Sequence, residues 1–461
     1  MKNCIGRKKA NAWIRKLVVI TFWLLVWQIL AWCIDNSILL ESPIGVGMRL
    51  LEDLQKAAYY QTVFVSVLRM MSGMILGVLT AVFCSVFSWK NVLVEELLEP
   101  VVHFLKAAPI ACFIVLLLIW TGADNVSFYV SFLVAYPPVY LNFLEGLKNV
   151  PSGLKEVAKV FGMPLKNCMK YIYLPCVEPY FMSALKLTVG MSFKAGVAAE
   201  IIGTPDFSMG ERIYMSKIYL DTEGVLSWML TVILVSYLCE KVLLFLVQIL
   251  WNKGITYSTL KKQDVSDGED ISLQNVTVKL GDKNVLDNVS ALFENGKIYC
   301  VMGASGLGKT TLLRTLSGLQ KITDGKIEGK NRQNAMVFQE GRLFEEYTAA
   351  ENILATGQCA YSETKLNEIL QEILPQDELN KMVKEFSGGM KRRVEIARAV
   401  LSCGKNIFMD EPFNGLDPET KRKTAEFIKK YQNGRTIVFA SHFTEDAELM
   451  NGEEVKLWKD V

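Results

Sequence analysis

Six long apolar runs in the first half of the chain constrain its fold more than any other feature of the sequence. Each run reaches or nearly reaches the ~20 residues that cross the ~30 Å hydrocarbon core of a bilayer. A hydrophobic content of 51% over 461 residues also favours a membrane part. The sequence therefore predicts an all-α transmembrane domain with six spans: Leu17–Ile34, Val63–Phe87, Val101–Trp120, Val126–Leu144, Val177–Ile202 and Val225–Leu250.

Charge next to the runs predicts their orientation. Basic residues before the first run are typical of a secretion signal, but the run is long and lacks a small-x-small cleavage site, so we interpret it as a retained span. Six spans leave both chain ends on one side. Lysine and arginine concentrate on that side, and positively charged loops stay inside. We expect a multi-pass protein of the cytoplasmic membrane with both termini in the cytoplasm.

The composition changes after about residue 250, where charged residues become frequent. We expect a transmembrane domain over 1–258, a polar linker over 259–270 and a soluble domain over 271–461. Strand patterns alternate with helix patterns in the soluble part, which predicts an α/β fold with a mainly parallel sheet. Ten scattered cysteines and two histidines exclude a disulfide framework and a His-rich metal site. A net charge of +2 gives no case for a nucleic-acid partner.

One motif in the soluble part predicts a phosphate-binding loop. The segment Gly303-Ala304-Ser305-Gly306-Leu307-Gly308-Lys309-Thr310 fits G-x-x-x-x-G-K-[ST], between an apolar strand at 298–302 and a helix that continues through Thr311. In this context consecutive backbone N–H groups point at phosphate oxygens. We expect Lys309 to reach the β- and γ-phosphates and Thr310 to hold Mg²⁺. The alternative is a glycine-rich turn with a chance Lys-Thr pair.

Two carboxylates and a histidine follow other apolar strands. Asp410 and Glu411 end the run 407–411, and His442 follows the run 436–440. The carboxyl ends of the strands are where α/β sheets place ligand-binding residues. We expect Asp410 to hold Mg²⁺, Glu411 to polarise an attacking water and His442 to contact the γ-phosphate. The alternatives are helix-capping carboxylates and a structural histidine.

A second anion-binding helix start follows at Ser387-Gly388-Gly389. Ser387 can cap the helix, and the two glycines allow an anion to approach its N–H groups. A single nucleotide does not need two such sites within one monomer. We therefore expect a dimer in which Ser387–Gly389 of each subunit faces the nucleotide of the other.

Ionisable residues inside the apolar runs are costly in lipid and are candidates for function. They are Arg69, Glu178, Lys186, Lys194 and Glu200. Lys186 and Lys194 are eight residues apart on one helical face, so they are candidates for the path of an anion. The alternative is snorkelling, or pairing with Glu178 and Glu200.

The longest loop on the inside has the spacing E-x-A-x-x-x-G, nine residues, then I-x-L-P, from Glu156 to Pro175. The first part predicts a short amphipathic helix over 156–161 that ends at Gly162. Its apolar side chains Val157, Val160 and Phe161 would fit the groove of a neighbour. By composition alone, an ordinary connecting loop is the alternative.

Together these motifs carry a family resemblance. Residues 271–461 resemble the ATP-binding subunit of ABC transporters, with Gly303–Thr310 as Walker A, Ile407–Glu411 as Walker B and Ser387–Gly389 as the signature. The resemblance implies ATP and Mg²⁺ as cofactors. It also implies that Gln339 belongs to the Q-loop that senses Mg²⁺, and that His442 is the switch histidine.

The first half resembles the permeases of nitrate, sulfonate and taurine importers, and the loop from Glu156 to Pro175 resembles their coupling motif. The resemblance implies a P-loop ATPase coupled to import of a small anion or vitamin precursor, delivered by an external substrate-binding lipoprotein. It also implies a membrane-embedded homodimer with two membrane and two ATPase halves.

The chain departs from these families in several ways. Permease and ATPase are fused, Met390 replaces the usual Gln, Leu280 replaces an aromatic residue at the adenine, and Phe443 replaces Asp. Two rival functions remain. An exporter half-transporter is normally fused in this way but has longer membrane helices. A non-hydrolysing sensor or scaffold would not need the intact Lys309, Asp410, Glu411 and His442.

Overall fold

The computed structural model describes residues 2–253, 270–281, 283–304, 306–329, 334–357, 359 and 361–455, with side chains from residue 14 to 251 in the first of these ranges. The chain forms two compact units. The first comprises Met1–Lys148 and Val177–Gly254, and the second comprises Asn149–Cys176 and Ile255–Val461. The long loop between the fourth and fifth apolar runs therefore belongs to the same unit as the phosphate-binding motif.

The helices in chain order are α1 Lys2–Ile34, α2 Pro43–Asp53, α3 Ala57–Lys90, α4 Val92–Ala107, α5 Ile110–Thr121, α6 Ala123–Lys148, α7 Ser152–Val160, α8 Leu165–Cys168, α9 Leu174–Gly203, α10 Met209–Ile218, α11 Thr222–Lys253, α12 Lys309–Leu316, α13 Ala349–Leu354, α14 Glu363–Leu370, α15 Gly388–Leu401, α16 Pro418–Tyr431 and α17 Thr444–Met450. The strands are β1 Ile271–Leu280, β2 Lys283–Phe293, β3 Ile298–Met302, β4 Asp324–Glu328, β5 Ala335–Val337, β6 Asn406–Asp410, β7 Thr436–Ser441 and β8 Glu453–Val455.

The first unit is entirely helical in its described residues, as predicted, but its span count differs from six. Four helices are long and apolar enough to cross a membrane: α1 from Ile14, α3, α6 and α11 up to Trp251. Helices α4 and α5 pass the same test only together, and they bend by 103° where Pro109 cannot continue a helix. The described residues thus supply four spans, or five with the bent pair. Helix α9 covers the fifth predicted run, but its charged residues lower its hydropathy.

Small residues let α3 and α6 pack closely. A Cβ atom on Gly73 would lie 2.0 Å from the Phe128 carbonyl oxygen, and one on Gly77 would lie 2.7 Å from that of Phe132. Close approach at small residues is typical of helix pairs in membranes. Met70, Met74 and residues of α9 and α11 complete the core of this unit.

The second unit has the predicted α/β architecture. Strands β5, β6, β7, β3 and β8 form a parallel sheet in that order, and β2, β1 and β4 form a separate antiparallel sheet. Every residue of β6 and β7 is buried, as expected for parallel strands covered on both faces. The predicted apolar runs 407–411 and 436–440 correspond to β6 and β7 to within one residue at each end.

The loop of residues 149–176 packs into the core of this second unit. Helix α7 begins four residues before the predicted start. Gly162, which was predicted to end it, follows two residues after Val160 with a φ of 57°, in the left-handed region. Val157, Val160 and Phe161 are buried in the same cluster as β3, β6 and β7. The backbone N–H of Asn334 donates to the Val160 carbonyl at 3.1 Å, which fixes the end of α7.

Candidate functional site

The strand order brings the predicted nucleotide-binding residues to one edge of the parallel sheet. Strand β7 lies between β3 and β6, with Ser441 paired to Met302 and Ala440 paired to Asp410. The phosphate-binding loop follows β3, Glu411 follows β6 and His442 follows β7. Three segments that are far apart in sequence therefore end side by side.

Glycine geometry shapes the phosphate-binding loop. Gly308 has a φ of 89° and precedes the first turn of α12. A Cβ atom there would lie 2.9 Å from the Val285 carbonyl oxygen, so no larger residue fits without movement of β2. Ala304, Gly306 and Leu307 are exposed, and Thr311 lies in α12. Ser305 lies outside the described residues.

Lys309 is buried under this loop. Its Nζ donates to the carbonyl oxygens of Gly303 at 2.5 Å and Ala304 at 3.1 Å, and lies 3.3 Å from Nδ1 of His442. Burial lowers the pKa of the Lys309 ammonium, and the nearby carboxylates of Glu411 and Asp410 oppose that shift. A bound phosphate would compensate the same buried charge.

Asp410 and Thr310 fit a divalent cation. Asp410 is 2% exposed, and its Oδ2 has no hydrogen-bond partner among the described residues. Burial raises the pKa of the Asp410 carboxyl, and a hydrogen bond from Thr310 partly offsets the shift. An unpartnered buried carboxylate oxygen beside a hydroxyl suits Mg²⁺, which takes oxygen ligands and usually keeps one or two carboxylates plus phosphates and waters.

Glu411 is held in a network with His442. Its Oε1 lies 3.1 Å from Nε2 of His442, and its Oε2 accepts from the Asn414 amide at 3.2 Å. Its φ of 49° is in the left-handed region, which a non-glycine residue adopts only at a cost. The backbone N–H of Glu411 donates to the Ala440 carbonyl at 3.0 Å. This arrangement points its carboxylate to the same edge as Lys309.

Arg392 belongs to the site although no sequence motif predicted a role for it. Its guanidinium is buried and donates to the carbonyl oxygens of Phe338, Pro412, Asp410 and Glu411, at 2.5 to 3.2 Å. It therefore ties the end of β5 to the turn that carries Glu411. The sequence signal that could have identified it is an arginine on the apolar side of a predicted helix, three residues before a glutamate. In the structure, Arg392 and Glu395 form an ion pair at 3.0 Å.

The remaining predicted residues lie apart from this network. Ser387 caps α15 by accepting from the Met390 N–H at 3.4 Å, and Gly388 has open space around it. Among the described residues, no hydrogen bond joins Ser387, Gly388 or Gly389 to the phosphate-binding loop. Gln339 is exposed directly after β5 and Phe338. The structure thus assembles one half of the predicted nucleotide site.

Glu156 of α7 links the 149–176 loop to the nucleotide-binding elements. Its carboxylate accepts two hydrogen bonds from Arg314 of α12, at 2.9 and 2.6 Å, and a further one from Arg342. The hydrogen bond from Arg314 lowers the pKa of Glu156, and Arg342 adds to the effect. The backbone N–H of Arg342 in turn donates to Glu395 at 2.5 Å, the carboxylate that pairs with Arg392.

The charged residues predicted inside the apolar runs have different environments. Glu200 is fully buried and accepts from the Ser66 hydroxyl at 2.9 Å and the Gly210 N–H at 3.2 Å. Arg69 lies 3.4 Å from Asp124. Lys186 and Lys194 are exposed along α9, and neither has an ion pair among the described residues. Pairing of these lysines with Glu178 or Glu200 is therefore not observed.

Comparison with known proteins agrees with both halves of the chain. Residues 73–253 match the family described as "Binding-protein-dependent transport system inner membrane component", and residues 286–414 match the family described as "ABC transporter".

Individual relatives match the second half. The taurine import ATP-binding protein TauB of Jannaschia sp. (strain CCS1) is 33% identical over 39% of this chain and 74% of its own length. The lantibiotic transport ATP-binding protein SrtF of Streptococcus pyogenes is 31% identical over 39% and 82%. A solved dimeric bacterial ABC transporter cassette is 30% identical over 41% of this chain and 94% of its own, with a TM-score of 0.37.

The predicted family is therefore confirmed, as are a helical membrane domain followed by an α/β ATPase domain and an ATPase coupled to transport. The chain belongs to the ABC transporter family, and it joins an inner membrane component of the binding-protein-dependent type to an ATP-hydrolysing cassette in one polypeptide.

Proposed function

We propose that this chain imports a small anionic solute, of the sulfonate, taurine or nitrate type, across the cytoplasmic membrane at the expense of ATP. The observation that carries the proposal is the position of Glu156. A loop that the chain inserts between α6 and α9 places this carboxylate against Arg314 of the phosphate-loop helix and Arg342 near Gln339. A change at the nucleotide would thus act directly on a segment continuous with α6 and α9.

We assign a role in hydrolysis to each residue of the site. The N–H groups of Gly303–Thr311 and the ammonium of Lys309 bind the phosphates, while Thr310 and Asp410 would hold Mg²⁺ with the help of Gln339. A Mg²⁺ ion held there would supply charge neutralisation for the phosphates. Glu411 accepts a proton from, or orients, the attacking water, and His442 contacts the γ-phosphate from the side of Lys309. The Arg392 guanidinium positions Glu411 by donating a hydrogen bond to the carbonyl oxygen of Glu411.

In this proposal the functional transporter is a homodimer of the chain. ABC cassettes dimerise, and the inner-membrane family to which residues 73–253 belong works with substrate-binding proteins. In a homodimer, Ser387–Gly389 of one copy closes over the nucleotide of the other. Closure then displaces the 149–176 loops and switches the exposure of the pathway from outside to inside. An external binding lipoprotein delivers the solute, and both chain ends lie in the cytoplasm.

The direction of transport is supported by the membrane half rather than by the ATPase. The relatives of the ATPase include both a taurine import protein and a lantibiotic transport protein, so likeness there does not separate import from export. The inner-membrane family that matches residues 73–253 is of the binding-protein-dependent type. The loop with E-x-A-x-x-x-G and I-x-L-P spacing supports the same direction.

Charge on α9 supports an anionic cargo. Lys186 and Lys194 are exposed on one helical face. Gly190 lies between them and faces open space, because a Cβ atom on it would have no neighbour within 4 Å. An unpaired cation in a membrane segment faces a cavity or the pathway far more often than lipid. A pathway lined by these two lysines attracts sulfonates or nitrate and not cations.

Uptake by proteoliposomes tests this function. Vesicles with the full chain, ATP inside and the cognate binding protein outside are expected to accumulate labelled taurine, an alkanesulfonate or nitrate. Vesicles with Glu411→Gln are the matched control and are expected to show no accumulation. Accumulation that does not need ATP, or ATP-driven movement in the outward direction only, would contradict the proposal.

A further inference from the structure

Glu156 is the starting point of two separate connections within the second unit. One leads to Arg314, in the helix that follows the phosphate-binding loop. The other leads to Arg342, whose guanidinium also donates to the Glu156 carboxylate. The first connection ends at the helix whose N-terminus is proposed to bind phosphate. The second continues along α15 to the turn that carries Glu411.

Helix α15 holds the backbone of Arg342 from both sides. The backbone N–H of Arg342 donates to Oε1 of Glu395 at 2.5 Å, and its backbone carbonyl accepts from the Arg398 guanidinium at 2.8 Å. Glu395 and Arg398 are three residues apart and are therefore neighbours on one face of the helix. If Glu156 displaces Arg342, the displacement acts on α15 through these two hydrogen bonds.

Glu395 is a buried carboxylate that serves two donors at once. Its side chain is 2% exposed, and while Oε1 accepts from the Arg342 N–H, Oε2 pairs with the Arg392 guanidinium at 3.0 Å. Separating a buried charge from its partner is strongly unfavourable, because the charge left behind is neither paired nor hydrated. Arg392 must therefore follow Glu395 when Glu395 moves.

Arg392 has no spare donor with which to absorb such a movement. A guanidinium carries five N–H groups in a fixed plane, and Arg392 makes five hydrogen bonds. One goes to Glu395, and the other four go to backbone carbonyl oxygens. Among those four is the carbonyl of Glu411, at 2.8 Å. A shift of the guanidinium is therefore passed on to the turn that carries the proposed base.

We propose that Glu395 is a positioning residue through which the 149–176 loop controls the rate of the hydrolytic step at Glu411. The contacts run in order through Glu156, Arg342, Glu395, Arg392 and Glu411. Among the described residues, no hydrogen bond joins Glu156 directly to Glu395 or Glu411. The connection through Arg314 acts on the phosphate-binding helix instead, so one connection affects turnover and the other affects nucleotide affinity. The use of this control in transport rests on the proposed import function, whereas the effect on hydrolysis does not.

A double-mutant cycle on ATP hydrolysis tests this role, with the full chain in lipid nanodiscs, Mg²⁺-ATP and no solute. Glu156→Gln alone is expected to lower kcat about threefold, because residues of one hydrogen-bonded network couple in this range. In the Glu395→Gln background it is expected to lower kcat less than about 1.5-fold, since the connection is already cut. An amide has one acceptor atom and cannot serve both the Arg342 N–H and Arg392. Glu395→Gln by itself is expected to lower kcat and to change KM for ATP less than about twofold.

Two controls distinguish this role from a loss of packing, which would lower kcat by a constant factor and leave the effect of Glu156→Gln intact. Arg314→Gln cuts only the other connection, so Glu156→Gln is still expected to lower kcat about threefold in that background. Glu426→Gln makes the same substitution as Glu395→Gln at an exposed position of α16. It is expected to change neither kcat nor the effect of Glu156→Gln, as is usual for surface substitutions.

A second variant keeps the test decisive if Glu395→Gln does not yield a monodisperse protein. Arg342→Met removes the side chain that contacts Glu156 but keeps the backbone N–H and the buried pair of Glu395 and Arg392. In this background Glu156→Gln is expected to have no further effect on kcat. The proposal is overturned if Glu156→Gln alone leaves kcat unchanged, if it lowers kcat by the same factor in the Glu395→Gln or Arg342→Met background, or if Glu395→Gln changes only KM.

Uptake measured in parallel separates the role of Glu395 from the import function. The expected non-additive cycle, together with a native chain that never accumulates an anion, would support the role of Glu395 and overturn the import function. ATP-driven uptake by the native chain, together with an additive cycle, would support the import function and overturn the role of Glu395.

Discussion

Glu411 is the most constrained residue of the nucleotide site. Its backbone lies in the left-handed region, with its N–H bound to Ala440 and its carbonyl oxygen bound to Arg392 at 2.8 Å. Its carboxylate is in contact with both His442 and Asn414. Holding a non-glycine residue in this conformation costs free energy, which the surrounding contacts must supply. These protein contacts position the Glu411 carboxylate, as catalysis by positioning requires.

Glu411→Gln is expected to lower the rate of ATP hydrolysis by about 10² to 10⁴-fold, because the amide cannot accept a proton from water. ATP binding should persist, since the phosphate-binding loop is unchanged. Phosphate release and binding of a fluorescent ATP analogue measure the two effects. Glu445→Gln, in the first turn of α17, is the matched control and should hydrolyse ATP normally. Normal hydrolysis by Glu411→Gln would refute the assignment of the base.

Asp410→Asn is expected to stabilise the fold while it weakens Mg²⁺ binding. Burial raises the pKa of Asp410, so its ionised form destabilises the nucleotide-free fold at neutral pH, and the fold gains stability as pH falls through that raised pKa. The neutral amide should therefore raise the melting temperature without nucleotide, while Mg²⁺-dependent hydrolysis falls about 100-fold or more. Thermal melts with and without EDTA and Mg²⁺-ATP measure both. If Asp410→Asn melted at a lower temperature than the native chain without nucleotide, burial of the Asp410 carboxylate would not be destabilising, and the prediction would be contradicted.

At the scale of elements, α7 connects the two functions of the chain. Its apolar face is part of the core around β3, β6 and β7, and its one carboxylate is held by two arginines. The ring of Phe161, just after α7, lies 5.3 Å from the guanidinium of Arg398 in α15. Helices that follow the phosphate-binding loop and the Ser-Gly-Gly motif therefore both contact the same short segment.

Glu156→Gln is expected to uncouple transport from hydrolysis. Losing the charge weakens the hydrogen bonds to Arg314 and Arg342 by roughly 1.5–3 kcal/mol, which corresponds to about ten- to a hundredfold in a coupling equilibrium. ATP-driven uptake should fall by that factor while hydrolysis persists, measured in the same proteoliposomes.

The control for this variant is Lys159→Gln, which removes an exposed charge from the same helix and should couple normally. The pKa of Glu156 is lowered from its ordinary 4.5, so the carboxylate stays charged at neutral pH and its contribution is lost only as pH falls through the lowered value. Uptake lost equally in both variants would argue against a specific role for Glu156.

At the scale of the whole molecule, each copy contains the two halves of a nucleotide site without joining them. Lys309, Asp410, Glu411 and His442 meet at the sheet edge, whereas Ser387–Gly389 makes no described hydrogen bond to them. A second copy related by two-fold symmetry would supply the missing half to each site.

Complementation between two inactive variants tests this arrangement. Lys309→Ala should abolish phosphate binding, and Ser387→Arg should block the surface that faces the partner's nucleotide. Each variant alone is expected to be inactive. Co-expressed and randomly paired, they should restore roughly a quarter of native hydrolysis, because half of the dimers contain one intact site out of two. Hydrolysis that stays absent in the mixed protein, with mixed dimers shown by pull-down, would argue against shared sites.

The local patterns of the sequence are sufficient for the elements and for the nucleotide-binding residues. An apolar run followed by Gly303–Thr310, or by Asp410 and Glu411, is contained within about a dozen residues, and strand, loop and helix form there from those residues alone. The parallel order of β6, β7 and β3 then brings the predicted residues together, because chain ends of parallel strands share one edge.

Contacts between distant segments were decided only by the tertiary structure. Arg392 reaches Phe338 and Glu411, and Glu156 reaches Arg314, over separations from 19 to 158 residues. Nothing near any of these residues indicates its partner. Hydropathy and motifs are properties of short windows, whereas a charge finds its partner only where packing places it.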